Sequence, residues 1–259
     1  MPEAELAIMI GAARAAGDLA LRHFAGSRAA TEKAGGLGPV TQADIEVDRL
    51  LRKQLLEARP SYGWLSEESE DDPARLNADR VFVVDPIDGT RAFIEGKKDW
   101  AISIAVVERG RAIAGIVHMP VLGRSYTAIE GYGAQCNGAA IWASETSTIG
   151  EATLLVNGAQ MKEQYWPGGI PQLERHFRPS IAYRMCLAAE GKFDGMLTFR
   201  NSFEWDIAAG DIIAREAGAI VTDRNGNPTV YNNPTPTLPG IFVAGRFMHR
   251  YLMERSARD

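Results

Sequence analysis

The sequence predicts an α/β fold in which amphipathic helices alternate with apolar strands, and three observations carry that expectation. Residues 3–29 place Leu6, Met9, Ile10, Ala13, Ala16, Leu19, Ala20 and Phe24 at helical spacing, with Arg14, Asp18 and Arg22 free to face solvent. Val81-Phe-Val-Val84 is an unbroken β-prone run, the pattern of a strand buried on both faces. From Trp100 to Ile129 further strands follow at hairpin spacing, and helical periodicity returns in 181–190 and 204–218.

At 259 residues, 46% hydrophobic and 24% charged, the chain can bury a sizeable core. A net charge of −5 without a dense basic cluster argues against nucleic acid as a partner. Two cysteines, Cys136 and Cys186, are too few for a disulfide framework and fit a reducing compartment. No run approaches the ~18–20 apolar residues that span a bilayer. The opening Met1-Pro-Glu-Ala-Glu-Leu6 is acidic where a secretion signal is basic. These features predict a soluble, cytoplasmic protein with no membrane attachment.

Along the chain, the first helix carries His23 near its end as a surface histidine. Three glycines and a proline in 34–40 predict a mobile loop. Thr41 is the natural N-cap of a second helix whose apolar face is Ile45, Val47, Leu50, Leu51, Leu55 and Leu56. Asp44 lies in its first turn, where an acid ordinarily complements the helix dipole. Tyr62–Ser66 reads as a short strand that runs into Glu67 and Glu68, while Glu70, Asp71 and Asp72 read as a solvated loop. Glu67 and Glu68 stand apart because an apolar strand delivers them, as the next strand delivers Asp85. Two such strands can converge at one sheet edge, where open α/β sheets place their sites.

In Val81–Thr90 the dipeptides Asp85-Pro86 and Asp88-Gly89 are turn formers, so both carboxylates are expected on a tight bend. Charge at the end of a hydrophobic strand is costly unless compensated, and a divalent cation compensates it well. Aspartates that merely cap backbone groups in a turn would account for the same letters. Arg91–Gly96 reads as one or two helical turns ended by glycine. The amides of Gly89, Thr90 and Arg91 would then lie free beside the aspartates, a setting that suits a phosphate. A Thr90 that only caps the short helix fits equally.

Trp100–Val107, Ala112–His118 and Ser125–Ile129 read as an antiparallel meander, with His118 structural. Gly131–Gly138 is glycine-rich without the strand–helix context of a nucleotide fingerprint and reads as turns. The second half opens near residue 150 with a strand at 153–156, a loop at 160–171, a helix at 181–190 closed by Gly191 and a strand at 193–199. The helix at 204–218 carries Trp205 and Asp206 in its opening turn, and strands at 219–222 and 240–244 precede a closing helix at 246–256.

Glu67, Asp85, Asp88 and Asp206 form one candidate constellation. All are oxygen donors, which suits Mg2+ or Mn2+, and no His/Cys cluster is available for a softer metal. An Asp85 that bridged two ions ~3.5–4 Å apart would support water attack on a phosphorus atom.

Trp64-Leu-Ser-Glu-Glu-Ser69, Val83-Val-Asp-Pro-Ile-Asp-Gly-Thr90 and Glu204-Trp-Asp-Ile-Ala-Ala-Gly210 resemble the three signatures of the inositol monophosphatase family. The likeness runs in order over nearly the whole chain and takes in Val40-Thr-Gln-Ala-Asp44. It implies a layered α/β/α/β/α sandwich of the inositol monophosphatase and fructose-1,6-bisphosphatase type. It also implies a lithium-sensitive, Mg2+-dependent phosphomonoesterase, usually a homodimer, acting on a small phosphorylated metabolite. The expected organisation is one catalytic domain in two lobes, 1–148 with most of the metal ligands and 149–259 with Asp206 and the substrate-selecting segment.

By the same resemblance Glu67, Asp85 and the Ile87 carbonyl hold a first metal, and Asp85, Asp88 and Asp206 a second, with a weaker third ion near Glu67. Mn2+ is a possible substitute for Mg2+. Thr90 and Asp44 would position the attacking water with help from Glu67, and the Gly89 and Thr90 amides would hold the phosphate. Asp88, Arg184 and Asp206 would touch the substrate, and the loop at 34–40, with Lys33 beside it, corresponds to the family's mobile metal-site loop.

Two departures bear on substrate. Phe199 stands where inositol phosphatases carry a glutamate that meets inositol hydroxyls, and Pro179-Ser-Ile-Ala182 replaces a Gly-Thr-Ala type segment. Arg184 and the Glu-Trp-Asp form of the third signature look more like the bisphosphate nucleotidase branch, although an arginine there could also point to solvent. Besides inositol-1-phosphate or a related sugar or polyol phosphate, the substrate alternatives are a 3′(2′),5′-bisphosphate nucleotide and histidinol phosphate. A regulatory or binding protein on the same scaffold is the alternative of a different class.

Overall fold

The computed structural model describes residues 2–26, 28–33 and 38–257. Residues 34–37, the centre of the expected mobile loop, lie outside them. Helix α1 (Pro2–Ala25) leads through a small hairpin, β1 (Ala30–Glu32) and β2 (Pro39–Thr41), into α2 (Gln42–Ala58). Then come β3 (Gly63–Ser66), β4 (Arg80–Asp88), α3 (Thr90–Ile94), β5 (Ala101–Glu108), β6 (Arg111–Met119), β7 (Arg124–Ile129), β8 (Ala134–Cys136) and β9 (Ala139–Ile141). The remainder holds β10 (Thr153–Leu155), β11 (Glu174–His176), α4 (Ile181–Ala189), β12 (Gly195–Thr198), β13 (Ser202–Phe203) and α5 (Glu204–Glu216). It ends with β14 (Ile220–Thr222), β15 (Thr237–Leu238), β16 (Ile241–Ala244) and α6 (Arg246–Arg255).

Among the described residues the larger sheet has seven strands in sequential order from β3 to β9, with β3 and β4 parallel and the rest antiparallel. Strand β4 shows why this sheet is covered on both faces. Its side chains alternate: Phe82 and Val84 pack with α1 and α2, and Val81 and Val83 with the core around α4 and α5. The smaller sheet, of order β11-β10-β12-β16-β14, repeats the pattern. Leu155, Met196, Ile241 and Val243 join the α4–α5 core, whereas Leu154, Leu197 and Phe242 pack against Met248 and Leu252 of α6. The layers are therefore helix, sheet, helix, sheet, helix, as the family resemblance implies. Among the described residues no helix is long and apolar enough to cross a membrane.

Helix α5 reaches the larger sheet closely because β6 offers it a glycine. A Cβ on Gly115 would come 2.6 Å from Ile212 Cγ2 and 3.1 Å from Ala209 Cα. Gly210 likewise admits Met185, whose Cβ and Sδ lie 2.7 Å from the position of the missing methyl. Since α5 carries Asp206, this close approach sets how deep that carboxylate sits. Gly115→Ala should cost about 1–3 kcal/mol through overpacking, lower the thermal midpoint, and reduce any activity that depends on the depth of Asp206, because α5 is pushed outward. An unchanged midpoint and full activity would refute this role for Gly115.

Several sequence expectations need correction. Asp85 and Asp88 do not sit on a turn beyond the strand: β4 runs to Asp88, and its register against β5 shifts between the two aspartates. Pro86 has no N–H to give the ladder, so the strand bulges there and continues. Helix α1 ends at Ala25, short of residue 29. The run 131–138, expected as turns, contains β8, which pairs with β9. Asp71 is not merely solvated: it pairs with buried Arg75 at 2.6 Å, and Asp72 caps the turn beginning at Pro73.

Candidate active site

Carboxylates gather where β3, β4 and α5 end or begin. Glu67 follows β3, and its N–H donates to Val84 O at 3.3 Å, continuing the pairing with β4. Asp85 is 1% exposed, and its Oδ1 accepts from Ile87 N at 3.0 Å. Asp206 enters on the first turn of α5. One oxygen each from Glu67, Asp85 and Asp206 lie within 4.8 Å of one another. Burial raises the Asp85 pKa well above the carboxylate range, and the charges of Glu67, Asp88, Asp206 and Asp44 raise it further. Asp206 is raised well above its ordinary value by burial and by Asp88 and Glu67.

Asp88 is placed differently. It faces the start of α4, where its Oδ2 accepts from Ser180 Oγ at 2.5 Å and Ala182 N at 2.7 Å, and its Oδ1 from Ile181 N at 3.2 Å. Burial still moves its pKa up to about 6, with those bonds and Arg184 holding it lower than burial alone would. Ser180 caps α4 by accepting from Tyr183 N at 2.9 Å while it donates to Asp88.

Asp44 both caps its helix and reaches Thr90. It completes a capping box with Thr41, whose N and Oγ1 donate to Asp44 Oδ2 at 2.8 and 2.6 Å. Its other oxygen faces the site, 3.3 Å from Thr90 Oγ1, which also lies 3.1 Å from the Ile87 carbonyl oxygen. Burial pushes the Asp44 pKa up, against its bonds from Thr41. Gly89 adopts φ 98° at the start of α3, a left-handed conformation that favours glycine, and Gly89, Thr90 and Arg91 line the cleft.

Cations flank the acids on two sides. Lys33 Nζ lies 2.8 Å from Glu67 Oε1 and 2.6 Å from Glu68 Oε1. Burial alone would lower the Lys33 pKa, but the two glutamates outweigh it and hold it raised. Glu68 is itself pushed up to about 7, chiefly by burial. Arg184 does not point to solvent. It is 5% exposed, its guanidinium lies over the Phe177 ring at 5.3 Å, and its Nε has no hydrogen-bond partner among the described residues. Burial lowers its pKa to about 10, against the pull of Asp88 and Asp206.

The cleft above these groups encloses about 600 Å³, lined by Glu67, Gly89, Thr90 and Asp206 at the acidic end and by Phe177, Arg184, Arg200 and Phe203 further out. Phe199 does not line it. It is 3% exposed and stacks on Tyr165 at 4.7 Å, inside the core under α6. Gln160 takes the space beneath the cleft wall, bonding Thr198 Oγ1 at 3.0 Å and accepting from Phe199 N at 3.3 Å. The substitution at 199 therefore removes a polar group without putting a ring in the cleft. Glu68, Ser180, Gln160 and Asp48 are site neighbours that single-sequence reasoning left without roles; the Ser69 and Glu68 letters of the first signature were the available signal for two of their contacts.

The carboxylates gathered at two strand ends and a helix start of this layered α/β sandwich could hold a divalent metal. Residues 1–258 match the model of the inositol monophosphatase family, and the chain belongs to that family. The chain is 33% identical over 218 residues to the Thermotoga maritima protein named fructose-1,6-bisphosphatase/inositol-1-monophosphatase, covering 82% of each. It is 32% identical over 247 residues to the Escherichia coli 3′(2′),5′-bisphosphate nucleotidase CysQ, covering 90% of this chain and 96% of that one. Among solved structures, the extragenic suppressor protein suhB of Bartonella henselae superposes with a TM-score of 0.83 at 27% identity, covering 97% of each chain. The protein is accordingly a phosphoric monoester hydrolase of a metal-dependent family.

Proposed function

We propose that the chain is a Mg2+-dependent phosphomonoesterase that cleaves inositol-1-phosphate or a related small sugar or polyol phosphate. The observation that carries this reading is the meeting of Glu67, Asp85 and Asp206 from three separate elements. Asp85 is buried and Asp206 half-buried among like charges, an arrangement that is unfavourable until a cation neutralises it. The all-oxygen donor set suits Mg2+, with Mn2+ as substitute. Glu67, Asp85, the Ile87 carbonyl, Asp88 and Asp206 would hold two to three ions. When bound, the ions supply Lewis acidity toward the phosphoryl oxygens and lower the pKa of a bound water.

The chain's own groups do the rest. Thr90 Oγ1, 3.3 Å from Asp44 Oδ1, takes a proton from a water on its cleft side and passes its own to Asp44. Burial raises the Asp44 pKa, which makes its carboxylate a better proton acceptor than an exposed aspartate. Glu67, which lines the same cleft, assists in positioning that water. The Gly89 and Thr90 amides orient the phosphate, Asp206 and Arg184, which line the cleft, meet the substrate, and Asp88 acts from behind them through its hold on the start of α4. A phosphate-release assay on a broad ester panel, with and without Mg2+, tests the reading. No metal-dependent turnover on any ester would sink it and would leave a binding protein on this scaffold.

Arg184 favours a second reading, a 3′(2′),5′-bisphosphate nucleotide as substrate. Its buried guanidinium, with Nε unpaired, offers donors to a second anionic group at the cleft wall. Competition between inositol-1-phosphate, adenosine 3′,5′-bisphosphate, fructose-1,6-bisphosphate and histidinol phosphate separates the candidates. If the second phosphate is read here, Arg184→Ala loses about 10–100-fold in kcat/KM on the bisphosphates, the worth of one charge-assisted contact, and far less on single-phosphate esters. An equal loss on both kinds of ester would rule this contact out.

A further inference from the structure

We propose that Asp48 is a positioning residue that fixes Glu67 by holding both ends of the Ser66-Glu67-Glu68-Ser69 turn; the inference rests on reading Glu67 as a metal ligand. Asp48 lies one turn after Asp44 on α2, so the same helix face presents both carboxylates toward the site. Asp48 is 5% exposed. Its Oδ1 accepts from Ser66 Oγ at 2.5 Å and its Oδ2 from Ser69 Oγ at 2.6 Å, so one carboxylate straddles the two glutamates from either side.

The hydrogen-bond directions require an acid at this position. Ser69 Oγ already accepts from Trp64 Nε1 at 3.1 Å, and Ser66 Oγ from Glu68 N at 3.4 Å. Each hydroxyl therefore has its proton left to donate, and both protons need an acceptor. A carboxylate supplies two, whereas an asparagine supplies one and turns an NH2 toward the other hydroxyl. Around the held turn, Glu67 N stays paired with Val84 O, and the Glu67 and Glu68 side chains grip Lys33. The turn thus has little freedom to carry Glu67 away from Asp85 and Asp206. A tie that merely joined α2 to β3 would stabilise the fold without setting the affinity of the acidic cluster for cations.

The test is Mn2+ binding to metal-free protein, followed by electron paramagnetic resonance of the free ion, alongside thermal melts in chelator. For Asp48→Asn the half-saturating Mn2+ concentration should rise about ten-fold, the lower end of what outer-shell changes cost. At saturating metal, KM for the phosphate ester should stay at the wild-type value. Ser66→Ala and Ser69→Ala, which each remove one arm, should give smaller rises, and adding Ser69→Ala to Asp48→Asn should give no further rise. A lower melting temperature with wild-type Mn2+ affinity in Asp48→Asn would overturn the proposal. Should that variant fail to fold, wild-type Mn2+ affinity in both serine variants overturns it as well. Glu67→Gln is the control: if it binds Mn2+ as wild type does, the reading of Glu67 as a ligand fails and the proposal falls with it, whereas weak binding by Glu67→Gln beside unchanged Asp48→Asn defeats the proposal alone.

Discussion

Asp85→Asn should leave the chain folded while phosphate-ester turnover falls by at least ~10³-fold, about 4 kcal/mol of transition-state stabilisation. The substitution is nearly isosteric, so it opens no cavity. The amide oxygen can still accept from Ile87 N, keeping the one backbone bond that Asp85 makes at the bulge of β4. What changes is charge. Asp85 is buried and surrounded by Glu67, Asp88, Asp206 and Asp44, all of which disfavour its ionised form. Without metal, the neutral side chain relieves that repulsion, and the chelated variant should melt at or above the wild-type temperature. With metal, the wild type should gain stability by ligand linkage, about 2.7 kcal/mol at a hundred times Kd, and the variant should gain little. Near-wild-type turnover in the variant would remove Asp85 from the centre of the proposed site.

The same residues show what one sequence can and cannot reveal. The positions of Glu67, Asp85 and Asp206 were legible because each borders an apolar element whose period fixes where it ends, and strand ends collect at a sheet edge. The layered fold followed from that alternation together with the family signatures. Partners far apart in the chain were not legible. Buried Arg75 joins Asp71 to Asn232 and to the Asn233 carbonyl, while Asn232 N and Asn233 N donate to buried Glu204, two residues before Asp206. This polar chain ties the turn after Glu67 to the start of α5 across 157 residues of sequence in the Arg75–Asn232 bond, and periodicity carries no trace of it. The short strands β1, β8 and β11 were missed because three residues display no period. The burial of Phe199 against Tyr165 depends on a segment some thirty positions earlier whose only visible signal in the sequence is that of a loop.

The acidic cluster should cost metal-free protein stability as pH rises from about 4 toward 7, the reverse of the usual response of paired carboxylates, while buried His249, lowered to about 4, acts in the opposite sense below about 6.5. Asp88 is held at about 6 and Glu68 at about 7, each by burial first, and Asp85 and Asp206 are raised well above the ordinary range. These four acids therefore bind more protons in the folded chain than in the unfolded chain across this window. Their contribution to stability consequently falls with pH, since its slope follows the protons bound unfolded minus those bound folded. The contribution is fully present below the unfolded pKa values near 4 and is lost as pH passes the folded ones. Asp88, moved from 3.8 to about 6, accounts for about 3 kcal/mol of the loss, and Glu68, partly screened by solvent, for less. Denaturant unfolding in chelator at pH 5 and pH 8, compared between the wild type and Asp88→Asn, measures the cluster's share, because His249 contributes equally to both. Saturating Mg2+ or Mn2+ should cancel or invert the cluster's share, because cations bind the deprotonated carboxylates and so gain affinity as pH rises. An Asp88→Asn variant with the pH dependence of the wild type would mean that the acids are not held together as the geometry of Glu67, Asp85 and Asp206 requires, and the case for a cation between them would go with it.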